Sequence, residues 1–296
     1  MSEPRLSGIR VNGVELAYFE RGEPRAEKPT LLFVHATGFH GRIWDRIIES
    51  FDGYHVLALE QRGHGRSEKR IIEHWQVFGQ DMAAFVTALG LRHIIGVGHS
   101  MGGHAMVDAA ALSGAFERLL LMDPTISAPE SFAEPQPPEV FEGGVHPAAR
   151  RKNNFSSPQE MVERLLQKGA FHLFEPRILA DYCEHGLVRS ESGGYQLACP
   201  PRIEASVYMA RRSNAAIYDS VRSLDIPVLI LRAQLPPADR TKMDFSSSPT
   251  WPGLVNEFKQ GREIHYPDCT HFIPMQIPDE VVRVLQQEVD SWQPSP

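Results

Sequence analysis

The residues of this chain best suited to covalent chemistry begin with Ser100, set in Gly98-His99-Ser100-Met101-Gly102. The apolar run Ile94–Val97 precedes it, and the alanine-rich stretch from His104 to Ala111 has helical character. A strand, a turn tight enough to need small flanking residues and a helix together form a nucleophile elbow, which lifts the serine hydroxyl clear of a sheet. The helix start also leaves the Met101 backbone N–H free to hold an oxyanion. A serine hydroxyl is a weak nucleophile at neutral pH, so the elbow calls for a histidine base and a carboxylate to orient it.

His271, in Thr270-His271-Phe272 after the last strand-like run, is placed to be that base. Two aspartates compete for the third role. Asp123 closes the apolar run Leu119–Met122, and Asp239 lies in the irregular stretch after Leu231, with Asp244 further along it. Residues 233–239 offer neither a glycine nor an acid directly after the strand, which favours Asp123. Asp268 stands too near His271 in sequence to orient its ring. A second oxyanion donor is expected from the loop after Val34, with the Thr37 N–H preferred and Gly38 the fallback. His35, Arg62, His64 and Arg66 read as loop braces.

Gly96-x-Gly98 after a strand, with Asp123 closing the next one, also imitates a dinucleotide-binding fingerprint. The third glycine falls one residue late, at Gly102, and the supposed first strand lies deep in the chain. Glycines serving only helix–strand packing would be the plain reading if the stretch stood alone.

The elements that must position these residues follow from apolar periodicity. Ile9–Tyr18 reads as a hairpin, with apolar positions alternating on both sides of Asn12-Gly13. Thr30–Val34, His55–Leu59, Ile94–Val97 and Leu119–Met122 read as buried strands, with a helix over Phe78–Leu89. From Ser127 to about Asp225 the rhythm breaks into a Pro-rich and then helical segment without sheet-like strands, in which Ser157 caps a helix with Pro158 at its first position. It returns at Ile226–Leu231, then a helix near Trp251–Phe258, a strand over Arg262–Tyr266 and a last helix over Asp279–Trp292. The expected division is a core over 1–126, a helical cap over 127–225 and the rest of the core over 226–296. Cap aromatics Phe155, Phe171, Phe174, Tyr182 and Tyr208 are expected mostly to pack the cap itself rather than line a pocket. Arg150, Arg151 and Lys152 read as a solvated basic face before a carboxylate-binding one.

The chain has 296 residues, a formal net charge of −7 and 42% hydrophobic residues. That is enough for one large α/β domain with an insertion, and the charge argues against nucleic acid or an anionic membrane as partner. A small molecule is the expected partner, for a monomer or a homodimer. No uncharged run spans a bilayer and the first ten residues lack a signal pattern, so a cytoplasmic location is expected. Cys183, Cys199 and Cys269 suggest free thiols, and none of the thirteen histidines has metal-ligand spacing, so neither metal nor cofactor is expected.

Taken together, these stretches resemble the α/β-hydrolase fold enzymes. His35-Ala36-Thr37-Gly38 is similar to the family's His-Gly oxyanion loop, Arg62-Gly63-His64-Gly65-Arg66-Ser67 to its Arg-Gly-x-Gly-x-Ser turn, residues 98–102 to its elbow and Thr270-His271-Phe272 to its histidine loop. The chain departs from the pattern at Ala36, at Glu60 and after Leu231. The resemblance implies a mostly parallel twisted sheet with helices on both faces and an inserted helical cap. It implies a serine esterase or lactonase using Ser100, His271 and Asp123, with Met101 and Thr37 forming the oxyanion hole. Some members carry the acid after the strand that follows the elbow helix, as Asp123 would be. Serine at the elbow argues against the haloalkane dehalogenase and epoxide hydrolase branches, which use aspartate there. A carbon–carbon bond hydrolase of ring-fission products, a cofactor-free dioxygenase and a non-catalytic ligand-binding member are the other readings.

Overall fold

The computed structural model describes residues 3–133, 146–237 and 245–293. Its first half runs β1 (Arg5–Val11), β2 (Val14–Arg21), β3 (Thr30–Val34), α1 (Asp45–Ile48), β4 (His55–Glu60), α2 (Gln76–Ala88), β5 (Ile94–His99), α3 (Met101–Ser113) and β6 (Phe116–Met122). There follow α4 (Glu130–Ala133), β7 (Asn154–Phe155), α5 (Pro158–Leu165), α6 (Pro176–His185), β8 (Leu187–Arg189), β9 (Tyr195–Leu197), α7 (Pro201–Met209) and α8 (Ile217–Ser223). The chain closes with β10 (Val228–Ala233), β11 (Gly261–Tyr266), α9 (Ile273–Gln276) and α10 (Pro278–Asp290).

Eight strands form one sheet in the order β1-β2-β4-β3-β5-β6-β10-β11. Asn12 and Gly13 both adopt positive φ, 47° and 72°, which lets a two-residue turn match the strand twist and sets the β1–β2 hairpin at Val11↔Val14. β2 runs antiparallel to β4, and every pair from β4 to β11 is parallel. Every residue of β3, β4 and β5 is buried, because parallel strands are covered on both faces. Alternation in β3 divides the core. Leu31 and Phe33 join the cluster under α1 and α10, and Leu32 and Val34 join the cluster under α2, α3 and α8. Each such side chain contributes roughly 1.5–3 kcal/mol relative to an exposed one. The parallel register brings the C-terminal ends of β3, β5, β6 and β10 to one rim, where the loops bearing the chemistry begin.

The segment between β6 and β10 is mostly helical but also contains a small antiparallel sheet, β7-β9-β8, which the sequence reading had missed. Its strands have two or three residues each, too short to show a period of two. Ser157 does cap α5: its Oγ accepts the Glu160 N–H at 3.2 Å, and Pro158 opens the helix. Before the segment ends, α8 returns to the core, with Ile217, Tyr218 and Val221 buried in the cluster that includes α3. Near Trp251–Phe258 the expected helix reduces to a 3-10 turn over Leu254–Glu257.

Candidate active site

Ser100 sits at the β5–α3 junction with φ 57° and ψ −119°, a strained conformation for a residue with a side chain. The neighbouring glycines make that turn possible. A Cβ on Gly98 would lie 2.8 Å from the Gly102 carbonyl oxygen, and one on Gly102 would lie 2.4 Å from that of Val34. Two backbone bonds pin the turn: the Ser100 N–H donates to the Met122 carbonyl at 3.0 Å, and the Thr125 N–H donates to the Ser100 carbonyl at 3.1 Å. Gly98 and Gly102 are thus engaged in close backbone packing.

His271 follows β11 and reaches across the rim. Its Nε2 lies 2.8 Å from Ser100 Oγ and its Nδ1 2.6 Å from Asp123 Oδ2. The His271 carbonyl accepts a hydrogen bond from His99 Nε2 at 2.8 Å, which holds the loop against β5. Burial and the neighbouring His271 push His99 well below the usual histidine range, so it stays neutral in this role. Asp123 is fully buried at the end of β6, with φ 47°. Its Oδ1 accepts from the Ala233 N–H at 3.1 Å, from Thr250 Oγ1 at 3.3 Å and from Ser248 Oγ. Asp239 and Asp244 lie outside the described residues.

The loop after β3 faces the elbow. Thr37 lines the same cavity as Ser100, and its hydroxyl donates to Met101 Sδ at 3.4 Å. Met101 opens α3, so its N–H has no acceptor within the helix. His35 braces the loop: Nε2 accepts the Gln61 N–H at 3.1 Å, and Nδ1 donates to the Ala36 carbonyl at 2.8 Å. Burial lowers its pKa to about 4, consistent with the neutral tautomer these bonds require. Arg62 and Arg66 likewise brace loops through Asp81 and Glu60.

The inserted segment packs on the loop after β3. Arg151 and Glu204 form a largely buried ion pair, and Glu204 Oε1 would be 2.9 Å from a Cβ on Gly38. Tyr182 donates its hydroxyl to the Gly38 carbonyl at 3.3 Å. Arg151 is therefore a clamp, and Lys152 pairs with Glu160. Phe155, Phe174 and Tyr182 are buried in the core cluster, with Phe171 packed against it. Of the five cap aromatics, Tyr208 lines the cavity beside Ser100.

That cavity holds about 180 Å³, below the roughly 300–1,000 Å³ of sites for drug-sized ligands. Trp75, Tyr208, Phe245 and Pro249 supply its apolar wall, and Thr125, Ser127 and Ser247 its polar one. Thr125 escaped the sequence reading although its hydroxyl lies 3.1 Å from Ser100 Oγ, and so did Ser248 and Thr250 under Asp123. None belongs to a motif; the nearest signal was the serine run 246–248. Among the described residues no group of three or more His, Cys, Asp or Glu side chains could hold a metal, and no helix is long and apolar enough to cross a membrane.

Comparison with known proteins matches residues 31–284 to a model described as the alpha/beta hydrolase family. The chain is 27% identical to a non-heme haloperoxidase of Rhodococcus erythropolis over 235 residues, 74% of this chain and 78% of the relative. It is 25% identical to the bifunctional esterase/perhydrolase DCH of Acinetobacter calcoaceticus over 273 residues, 89% of this chain and 91% of the relative. The crystal structure of E-2-(acetamidomethylene)succinate hydrolase superposes with a TM-score of 0.75 at 18% identity, covering 97% of this chain and all of that one.

Proposed function

Because this chain belongs to the alpha/beta hydrolase family, whose relatives are enzymes, we propose that it hydrolyses a small carboxylic ester or lactone through an acyl-Ser100 intermediate. The observation that carries the reading is the hydrogen-bonded line from Ser100 Oγ through His271 to Asp123. His271 Nε2 takes the serine proton as Oγ attacks the carbonyl carbon. Asp123 keeps the ring in the required tautomer and stabilises the imidazolium that forms. The N–H groups of Met101 and Thr37 receive the oxyanion, each such donor being worth about 10²–10³ in kcat. As the carbon–oxygen bond breaks, His271 returns the proton to the leaving alcohol. Water, deprotonated by the same ring, then releases the acid and restores Ser100.

The test is incubation with a fluorophosphonate and with short-chain nitrophenyl esters, using Ser100→Ala and His271→Ala as controls. Labelling at Ser100, with turnover lost in both variants, is expected. A folded protein that neither labels nor turns over would overturn the acyl-enzyme mechanism. The names of two relatives, haloperoxidase and esterase/perhydrolase, recommend hydrogen peroxide as a second nucleophile to offer the acyl-enzyme. Peracid would then form in competition with the carboxylic acid.

A further inference from the structure

The wall of the cavity contributed by the inserted segment carries charge of one sign. Arg211 and Arg212 both line it, and no aspartate or glutamate is among the described lining residues, in a chain whose net charge is −7. Among the described residues, three acids on the elements around this wall are engaged with other groups. Asp123 receives His271, Glu204 pairs with Arg151, and Asp108 accepts Asn214 Nδ2 and Ser220 Oγ at 2.7 Å each.

Arg212 Nε is buried and has no hydrogen-bond partner among the described residues. A buried guanidinium edge without an acceptor is costly unless something binds there. The turn that carries it is held firmly. The Ala210 N–H closes α7 on the Ser206 carbonyl at 3.0 Å, Ser213 Oγ donates to the Ala210 carbonyl at 2.7 Å and accepts the Trp75 N–H at 2.9 Å, and Asn214 is anchored on Asp108. The planar donor fork of a guanidinium matches a carboxylate, which can accept two parallel hydrogen bonds.

We propose that the substrate carries a carboxylate besides the acyl group under attack, and that Arg212 holds that carboxylate while Ser100 attacks. This rests on the ester or lactone reading and narrows its substrate class to small monoanionic acid esters or lactone acids.

The experiment compares kcat/KM for monomethyl glutarate and for dimethyl glutarate, followed by proton release, in the wild type, Arg212→Gln and Arg212→Lys. Glutarate binding to Ser100→Ala, with and without Arg212→Gln, is measured in parallel by calorimetry. The wild type is expected to prefer the monoanion at least ten-fold. Arg212→Gln should cut that preference at least ten-fold, Arg212→Lys should keep part of it, and glutarate binding should be lost with Arg212→Gln. A wild-type preference for the diester, or an equal fall on both esters in Arg212→Gln, would overturn the proposal. Thermal melts of both arginine variants separate loss of the anion site from loss of the fold. If neither ester turns over yet glutarate binding depends on Arg212, the anion site stands and the ester reading falls.

Discussion

At the residue scale, the site depends on three side chains that touch and on a backbone turn that only certain residues permit. Ser100→Ala or His271→Ala should each lower kcat by about 10⁶, and Asp123→Asn by about 10⁴, because the amide leaves the ring in the wrong tautomer. Steady-state kinetics on nitrophenyl acetate check this, and an Asp123→Asn enzyme close to wild-type rate would remove Asp123 from its role. The elbow makes a sharper demand. Gly102→Ala places a methyl group 2.4 Å from the Val34 carbonyl oxygen, backbone that cannot yield without moving β3. It should destabilise the fold by about 1–3 kcal/mol and cost activity besides; a melting temperature equal to wild type would sink that expectation. Ser100 and its glycines are legible in the sequence because steric demand within five residues is local. Thr125 is not legible, since its hydroxyl meets Ser100 only after β6 has paired with β5.

At the scale of elements, parallel strands deliver loops to one rim, and the inserted helices close over it. The Arg151–Glu204 pair joins the turn after residues 147–150 to α7 and presses on Gly38. Arg151→Ala would strand a buried carboxylate and cost about 3 kcal/mol, the low end for breaking such a pair because Arg151 is part exposed. The double variant Arg151→Met/Glu204→Leu should recover much of that loss in chemical denaturation, while a double variant worse than the single would show that the pair is not the clamp. Gly38→Ala, which would hold an alanine at φ +80° and crowd Glu204 Oε1, should lower kcat/KM on nitrophenyl acetate, since it shifts the loop whose Thr37 lines the cavity beside Ser100, and an unchanged kcat/KM would remove that loop from the mechanism. The strands of the large sheet were legible to within a residue or two at the C-terminal rim, as buried apolar runs must be. The small sheet β7-β9-β8 was not, because two or three residues carry no periodicity.

At the scale of the whole molecule, burial of neutral histidines couples stability to pH. His35 is lowered to about 4, and His40, His64 and His99 fall well below the usual range, in each case chiefly through burial. The unfolded chain takes up those protons near pH 6.5 while the folded chain does not, so stability is full above pH 6.5 and is lost as pH falls toward 4. Thermal midpoints at pH 7.5 and 4.5 should therefore differ by many degrees, and a flat profile across that window would refute the linkage. The sequence by itself determined what local rules decide: the hairpin at Asn12-Gly13, the buried strands, the glycine-flanked serine and a histidine just past the last strand. The tertiary structure decided which groups meet. Asp123 and His271 stand 148 positions apart, and their contact depends on β6 and β11 both lying beside β10. It also decided that Arg212 lines the cavity while Arg151 braces a loop. Both arginines occur in polar stretches of the same segment, and their surroundings are set by packing among elements far apart in the chain, where no local pattern reaches.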